Sequence, residues 1–172
     1  MEGIRIVFVG RSGCGKTTLS KETMNKAPKN MPFIVYDINN EYQDYYPEKF
    51  IKFTEFLEKL VELDNEGYNV INHHYILIEE ATIFFNTHSN FEEMKDVLVR
   101  ARHTQNIVQL NFHSFASIPK GIYNLLDYVI VFKTNDNEKS ITDRFDNPEV
   151  LEAARAARES ADKHFFKVVK LY

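Results

Sequence analysis

The stretch IRIVFVGRSGCGKTTLS, Ile4 to Ser20, joins a short apolar run to a glycine-rich turn and then to a segment compatible with a helix. Gly10, Gly15, Lys16 and Thr17 stand at the spacing G-x-x-x-x-G-K-[ST], the signature of a phosphate-binding loop. A nucleotide's beta-phosphate carries several charges and needs convergent N–H donors, which only a loop with little side-chain bulk can turn inward. The helix expected near Lys16 adds its unpaired first amides and the positive end of its dipole. Lys16 then sets an ammonium against the beta- and gamma-phosphates, and the Thr17 hydroxyl is a candidate Mg2+ ligand. The nucleotide-binding positions are therefore Gly10, Arg11, Ser12, Gly13, Cys14, Gly15, Lys16, Thr17 and Thr18. The motif stands where its chemistry requires, after a strand and before a helix.

Outward from this loop, the 172 residues are enough for one well-buried core and too few for two ordinary domains, so a single domain over 1–172 is expected. A hydrophobic content of 44% and a charged content of 27% are those of a globular chain. The net charge of -4 argues against a surface basic all over, while leaving room for a local basic patch or a ring that encloses nucleic acid. The single cysteine, Cys14, has no partner for an internal disulfide and reads as a small residue beside the turn. No run reaches the length of a membrane span and no signal-peptide pattern opens the chain, so a cytoplasmic location is expected.

Along the chain, apolar runs alternate with helix-compatible segments. Strands are expected at Ile4–Val9, Phe33–Tyr36, Tyr75–Ile78, Ile107–Phe112, Tyr128–Lys133 and, at an edge and antiparallel, Phe165–Leu171. A further short strand is read over Lys49–Phe53. Helices are expected from Thr17 to about Asn25, from Thr54 (as cap) to about Asp64, from Asn90 (as cap) towards His103, at Ile122–Leu126, and in two pieces separated by Asn147-Pro148. The alternation predicts an α/β fold in three layers with a mainly parallel central sheet.

YILIEE, Tyr75 to Glu80, is the second specific feature. A buried strand ending in two carboxylates supplies one acid for the Mg2+ shell, assigned to Glu79, and one to orient or deprotonate water, assigned to Glu80. Positive charge beside the gamma-phosphate is also needed as charge moves in the transition state. Arg100 and Arg102 are the candidates, with Arg102 preferred as an arginine finger reaching a neighbouring subunit. His113 follows a core strand and is placed to sense the gamma-phosphate or the lytic water. The C-terminal arginines Arg144, Arg155 and Arg158 alternate with acids and read as a solvated helix face. Tyr42, Tyr45 and Tyr46 either stack a base or pack their own loop. His73, His74, His103 and His113 lack the spacing of a structural zinc site.

Taken together, GRSGCGKT, YDINNEY, YILIEEA, RARHTQN and NFHSFASIPKGI resemble the FtsK and HerA class of phosphate-loop ATPases, and especially the small viral genome-packaging ATPases, over roughly Ile4 to Thr134. The resemblance implies a P-loop NTPase fold with an additive strand, of the RecA/FtsK/HerA type. It implies ATP and Mg2+ as cofactors, with Thr17 and Glu79 on the metal, Glu80 on the water, His113 as sensor and Arg102 or Arg100 acting in trans. It also implies a homo-oligomeric ring, hexamer or pentamer, that moves double-stranded DNA with a capsid, portal or nuclease partner, in host cytoplasm or with the virion. This sequence departs from the family in having Glu79 where an aspartate is usual and histidine at the sensor, where glutamine is common. Two other readings stay open: a nucleoside or small-molecule kinase with Asp136–Arg144 as its lid, and a non-hydrolysing assembly module.

Overall fold

The computed structural model describes residues 2–45, 50, 52–85 and 88–172. Six strands form one sheet: β1 (Ile4–Val9), β2 (Phe33–Tyr36), β3 (Tyr75–Ile78), β4 (Ile107–Phe112), β5 (Tyr128–Phe132) and β6 (Phe166–Lys170). Their spatial order is β2-β3-β4-β1-β5-β6. The first five run parallel, and β6 pairs antiparallel with β5 at one edge. β4 thus lies between the strand that carries the glycine-rich loop and the strand that carries the acidic pair. Because these strands are parallel, their carboxyl ends, with Gly10, Asp37, Glu79 and His113, gather along one edge of the sheet.

The period of two sorts the strand side chains between two helical layers. Val7, Val9, Ile76, Ile78, Val108, Leu110, Val129 and Val131 form the main core. They are covered by α2 (Phe53–Val61), α4 (His88–Arg100) and α6 (Pro148–Glu159). The opposite face, with Phe8, Val35, Tyr75 and Leu77, is covered by α1 (Lys16–Asn25) and the chain that follows β2. Two short helices complete the set, α3 (Ala81–Phe84) and α5 (Glu138–Thr142). In α6, Pro148 occupies the first turn and the Asn147 side chain accepts from the Glu149 N–H at 2.8 Å, a proline-and-cap start.

Several boundaries differ from the sequence reading. α2 starts at Phe53, so that residue is helical and Thr54 lies inside the helix. The ring of Phe53 docks on Tyr36 at 5.3 Å between centroids, which draws the chain into the helix a residue early. Lys49 and Ile51, read with Phe53 as a strand, lie outside the described residues. Leu63 falls beyond the end of α2 and is 50% exposed instead of packing on its apolar face. α4 starts at His88, which places Asn90 inside it. Ile122–Leu126 holds a single 3-10 turn, Tyr123–Leu125, and α3 directly after the acidic pair was not expected. Among the described residues no helix is long and apolar enough to cross a membrane.

Candidate active site

β1 ends in the glycine-rich turn because its neighbours on both sides hold it there. The Gly10 N–H donates to the Phe112 carbonyl of β4 at 3.1 Å, and the Arg11 N–H donates to the Lys133 carbonyl after β5 at 2.8 Å. Gly10 has no room for a side chain: a Cβ there would stand 2.6 Å from the Cβ of Phe132. Gly15 adopts φ of 100° as it opens α1, a conformation that favours glycine. No side chain caps α1, so its first amides remain directed at the space above the loop. Lys16, 6% exposed, folds back and donates to the carbonyls of Gly10 at 2.7 Å and Arg11 at 3.2 Å.

Above this turn is a cavity of about 390 Å3. Ser12, Gly13, Gly15, Lys16, Thr17 and Thr18 form its floor, and Glu79, Glu80 and His113 form one wall. Nine residues read from sequence as site residues therefore meet around one space, although they come from three separate parts of the chain. Gly10 and Arg11 contribute the carbonyls that receive Lys16. Cys14 turns the other way, into an apolar cluster with Phe8, Ile130 and Phe132, and burial pushes its thiol pKa up. Its role is to pack the underside of the loop.

The acidic pair divides in two. Glu79 is 3% exposed, and its Oε2 accepts from the Tyr42 hydroxyl at 2.8 Å and from the Asn111 amide at 2.5 Å. Burial raises its carboxyl pKa, opposed by those two hydrogen bonds and by Lys16. Burial, and then the Glu79 charge, push the Tyr42 phenol well above its ordinary range, so it remains a donor. Glu80, next in sequence, takes φ of 59°, which swings it away from Glu79 and onto Nε2 of His113. The His113 backbone N–H donates to Thr82 Oγ1 of α3 at 3.3 Å, so α3 steadies the Glu80–His113 pair from behind.

A second set of residues was not assigned to the site from sequence. The Asp37 carboxylate, 1% exposed, accepts from the N–H of Glu41 at 3.0 Å and of Tyr42 at 2.8 Å. That turn aims Tyr42 at Glu79 and brings Glu41 to Thr17, whose hydroxyl donates to Glu41 Oε2 at 3.3 Å. On the other side of Glu79, Asn111 and Gln109 of β4 meet Ser20 of α1: Gln109 donates to Ser20 Oγ at 2.7 Å and to Asn111 Oδ1 at 2.8 Å. Ser20 in turn donates to the Lys16 carbonyl at 2.9 Å. A buried hydrogen-bonded chain thus ties the start of α1 to the acidic strand. Gln109 and Asn111 alternate within an apolar strand, and that pattern is the sequence signal for a polar face. Tyr42 is fully buried and unavailable for base stacking, while Tyr45 packs against Phe33 and Tyr42. Tyr46 lies outside the described residues.

The two arginines stand elsewhere. Arg100 ends α4 and pairs with Asp96 at 2.6 Å and Asn69 at 3.2 Å. Arg102 donates to Asp127 Oδ1 at 3.0 Å, on a carboxylate that also holds Arg5 through Nε and Nη2, each at 2.9 Å. Asp127 immediately precedes β5 and Arg5 is the second residue of β1, so Arg102 sits at the amino-terminal edge of the sheet, opposite the cavity. Neither arginine lines the phosphate cavity of its own chain. Arg155 forms a double hydrogen bond with Glu138 at 2.7 Å, Arg144 donates to the Ala116 carbonyl at 2.9 Å and Arg158 to the Asp136 carbonyl at 2.7 Å. These three are spent on the surface of their own chain.

No family model matches the sequence. No curated protein matches it either. Solved structures do. The genome packaging NTPase B204 from Sulfolobus turreted icosahedral virus 2, in complex with ATP-gammaS, superposes with a TM-score of 0.74 at 20% identity, over 98% of this chain and 92% of that one. B204, the DNA-packaging ATPase from Sulfolobus turreted icosahedral virus, gives 0.71 at 18% identity over 99% and 98%. ATPases 2 and 3 of EccC from Thermomonospora curvata give 0.57 at 12% identity over 80% of this chain and 31% of that one. The fold is the one these packaging NTPases share, a mainly parallel central sheet between two layers of helices. Within it, β4 stands between the loop strand and the acidic strand, and β6 is an antiparallel edge.

Proposed function

We propose that this chain is a Mg2+-dependent ATPase that assembles into a homo-oligomeric ring and drives double-stranded DNA, in the manner of a viral genome-packaging motor. The observation that carries the reading is the meeting of Lys16, Thr17, Glu79, Glu80 and His113 around one cavity, on a fold shared along nearly its whole length with packaging NTPases.

The residues fit magnesium by their chemistry. A hard divalent cation takes oxygen donors, and the Thr17 hydroxyl and the Glu79 carboxylate supply them on the wall and floor of the cavity. Burial raises the Glu79 pKa despite Tyr42, Asn111 and Lys16, and a divalent cation would offset that cost. When bound, the ion neutralises charge on the beta- and gamma-phosphates. The chain's own groups do the rest. Lys16 leaves the Gly10 and Arg11 carbonyls and places its ammonium on the phosphates, and the α1 amides hold the oxygens. Glu80 orients water and accepts its proton, and His113 fixes where that carboxylate points. Loss of the gamma-phosphate changes what His113 and Glu80 contact, which is how the site reports its state along β4.

Arg102 stands at the far edge of the sheet, away from its own cavity, and in this reading it acts in trans. A head-to-tail ring brings the far edge of one subunit against the loop edge of the next. DNA, capsid and portal or nuclease partners belong to the same reading, as does a location in host cytoplasm or with the virion. The test is hydrolysis of Mg2+-ATP by the purified protein with and without double-stranded DNA, alongside its mass in solution. Hydrolysis by a ring, raised by DNA, is expected. A monomer that phosphorylates a nucleoside and ignores DNA would replace the motor with a kinase.

A further inference from the structure

Beside the phosphate cavity lies a smaller hollow of about 170 Å3, and it has no part in the chemistry above. Gly15, Thr18 and His164 line both spaces, so the two lie side by side along the start of α1. The remaining walls are Leu19 and Glu22 of α1, Phe132 at the end of β5 and Phe166 at the start of β6. We propose that this slot receives the nucleobase of the triphosphate held by the loop, and that Glu22 selects bases bearing an exocyclic amine. The proposal rests on the ATPase reading and adds to it the residues that hold the base and select it.

Direction comes from the sheet order. Glu79, Glu80 and His113, at the ends of β3 and β4, mark the gamma-phosphate end of the cavity. β5 and β6 lie on the other side of β1, so a triphosphate laid along the loop has its sugar and base towards Phe132 and Phe166. His164 stands at the junction. Its Nδ1 comes within 2.9 Å of where a Cβ on Gly15 would be, and its N–H is held by Asp162 Oδ1 at 2.8 Å. Lys133 fixes the same turn through the Ser160 carbonyl.

The surfaces suit a planar heterocycle. Phe166 is 39% exposed, while Phe132 is buried behind it with ring centroids 5.5 Å apart. One ring therefore offers a free surface on a fixed backing, the arrangement on which a base stacks. The polar part is Glu22, whose ionised carboxylate can only accept hydrogen bonds. An amine on the base edge satisfies it, and a keto oxygen meets it lone pair to lone pair. Adenine carries the amine at the position where hypoxanthine carries the oxygen, which makes ATP and ITP the discriminating pair.

The experiment is calorimetric titration of the full chain with ATP, ITP and inorganic triphosphate in Mg2+. Wild type is expected to favour ATP over ITP. Phe166→Ala is expected to weaken ATP roughly tenfold while leaving inorganic triphosphate within about twofold. Phe166→Leu keeps the contact with Phe132 and guards against loss of fold, and it should weaken ATP in the same direction. Glu22→Gln, whose amide can donate to a keto oxygen, should narrow the preference for ATP over ITP. Equal losses for ATP and inorganic triphosphate, no loss for either, or a preference untouched by Glu22→Gln would overturn the slot. Failure of the underlying reading looks different: binding of inorganic triphosphate would be missing in wild type or indifferent to Lys16→Ala, and the slot would fall with it.

Discussion

The Tyr42 hydroxyl donates a 2.8 Å hydrogen bond to Oε2 of Glu79, joining the chain after β2 to the acidic end of β3. Asp37 holds Tyr42 in place by accepting its backbone N–H, and the same turn brings Glu41 to the Thr17 hydroxyl. The proposed metal ligands are thereby both held from one loop. Tyr42→Phe removes one of the two donors on a buried carboxylate, at a cost of about 1–2 kcal/mol measured by urea denaturation. The hydrogen bond also lowers the proton affinity of Glu79. Its loss should raise the Mg2+ concentration needed for half-maximal turnover while turnover at saturating Mg2+ changes little. An unchanged Mg2+ requirement would remove Tyr42 from the metal site.

Glu79 itself opposes the fold when no cation is present. Burial raises its pKa in the native state above that of the unfolded chain, so the native state binds the proton more tightly. Stability from this group is therefore greatest on the acid side and falls as pH rises from the unfolded carboxylate pKa through the raised folded value. Glu79→Gln keeps an oxygen for Tyr42 and Asn111 and removes the charge. At neutral pH without Mg2+ it should melt at or above wild type, and the part of the melting-temperature rise that ATP gains from added Mg2+ should shrink. A variant that melts lower and gains as much as wild type from Mg2+ added to ATP would contradict the assignment.

The parts of the site legible in sequence are those whose chemistry is contiguous. IRIVFVGRSGCGKT and YILIEE each carry a buried strand and the polar end that follows it in one run, and continuous apolar strands betray a parallel sheet. The rest depends on contacts between distant residues. Tyr42 and Glu79 are 37 positions apart, and Gln109 reaches Ser20 across 89. Before folding, Tyr42 is one more aromatic in a polar loop, and only Asp37 behind it turns the phenol inward. Helix starts were blurred for a related reason: the Phe53 ring packs on Tyr36, and that contact outweighs the capping preference of Thr54. His164 carried no local pattern at all, and only the pairing of β6 with β5 brings it over Gly15.

At the opposite edge, Asp127 bears on stability. Burial alone would raise its carboxyl pKa, but hydrogen bonds from Arg5 and Arg102 outweigh that and hold it below the ordinary carboxylate value. Its contribution is present above the unfolded pKa, about 3.9, and is lost as pH falls through the lower folded value. Asp127→Asn leaves Arg5, 5% exposed, without its counter-charge. The loss should be about 3 kcal/mol at neutral pH, seen in chemical denaturation, and the gap to wild type should close below about pH 4. A constant gap down to pH 2 would mean that the ion pair is not its source.

Arg102 shares Asp127 but is 53% exposed at its side chain, and Asp127 keeps Arg5 when Arg102 is removed. Arg102→Ala should therefore cost less than about 1 kcal/mol of stability and leave ATP binding intact, since the residue does not line its own chain's cavity. Turnover by the ring should nevertheless fall by roughly a hundredfold or more, as expected when a finger for the transferring phosphoryl group is lost. Glu80→Gln should be equally inactive for a different reason, because its carboxylate no longer takes the proton from water. In a ring that mixes the two variants, some interfaces pair an intact Glu80 with an intact Arg102 from the neighbour. Activity should return on mixing and pass through a maximum near equal proportions, measured as ATP turnover against mixing ratio at constant total protein. If turnover stays at the level of the separate variants at every ratio while mass measurements show mixed rings, Arg102 does not act across the interface, and its bond to Asp127 is its whole role.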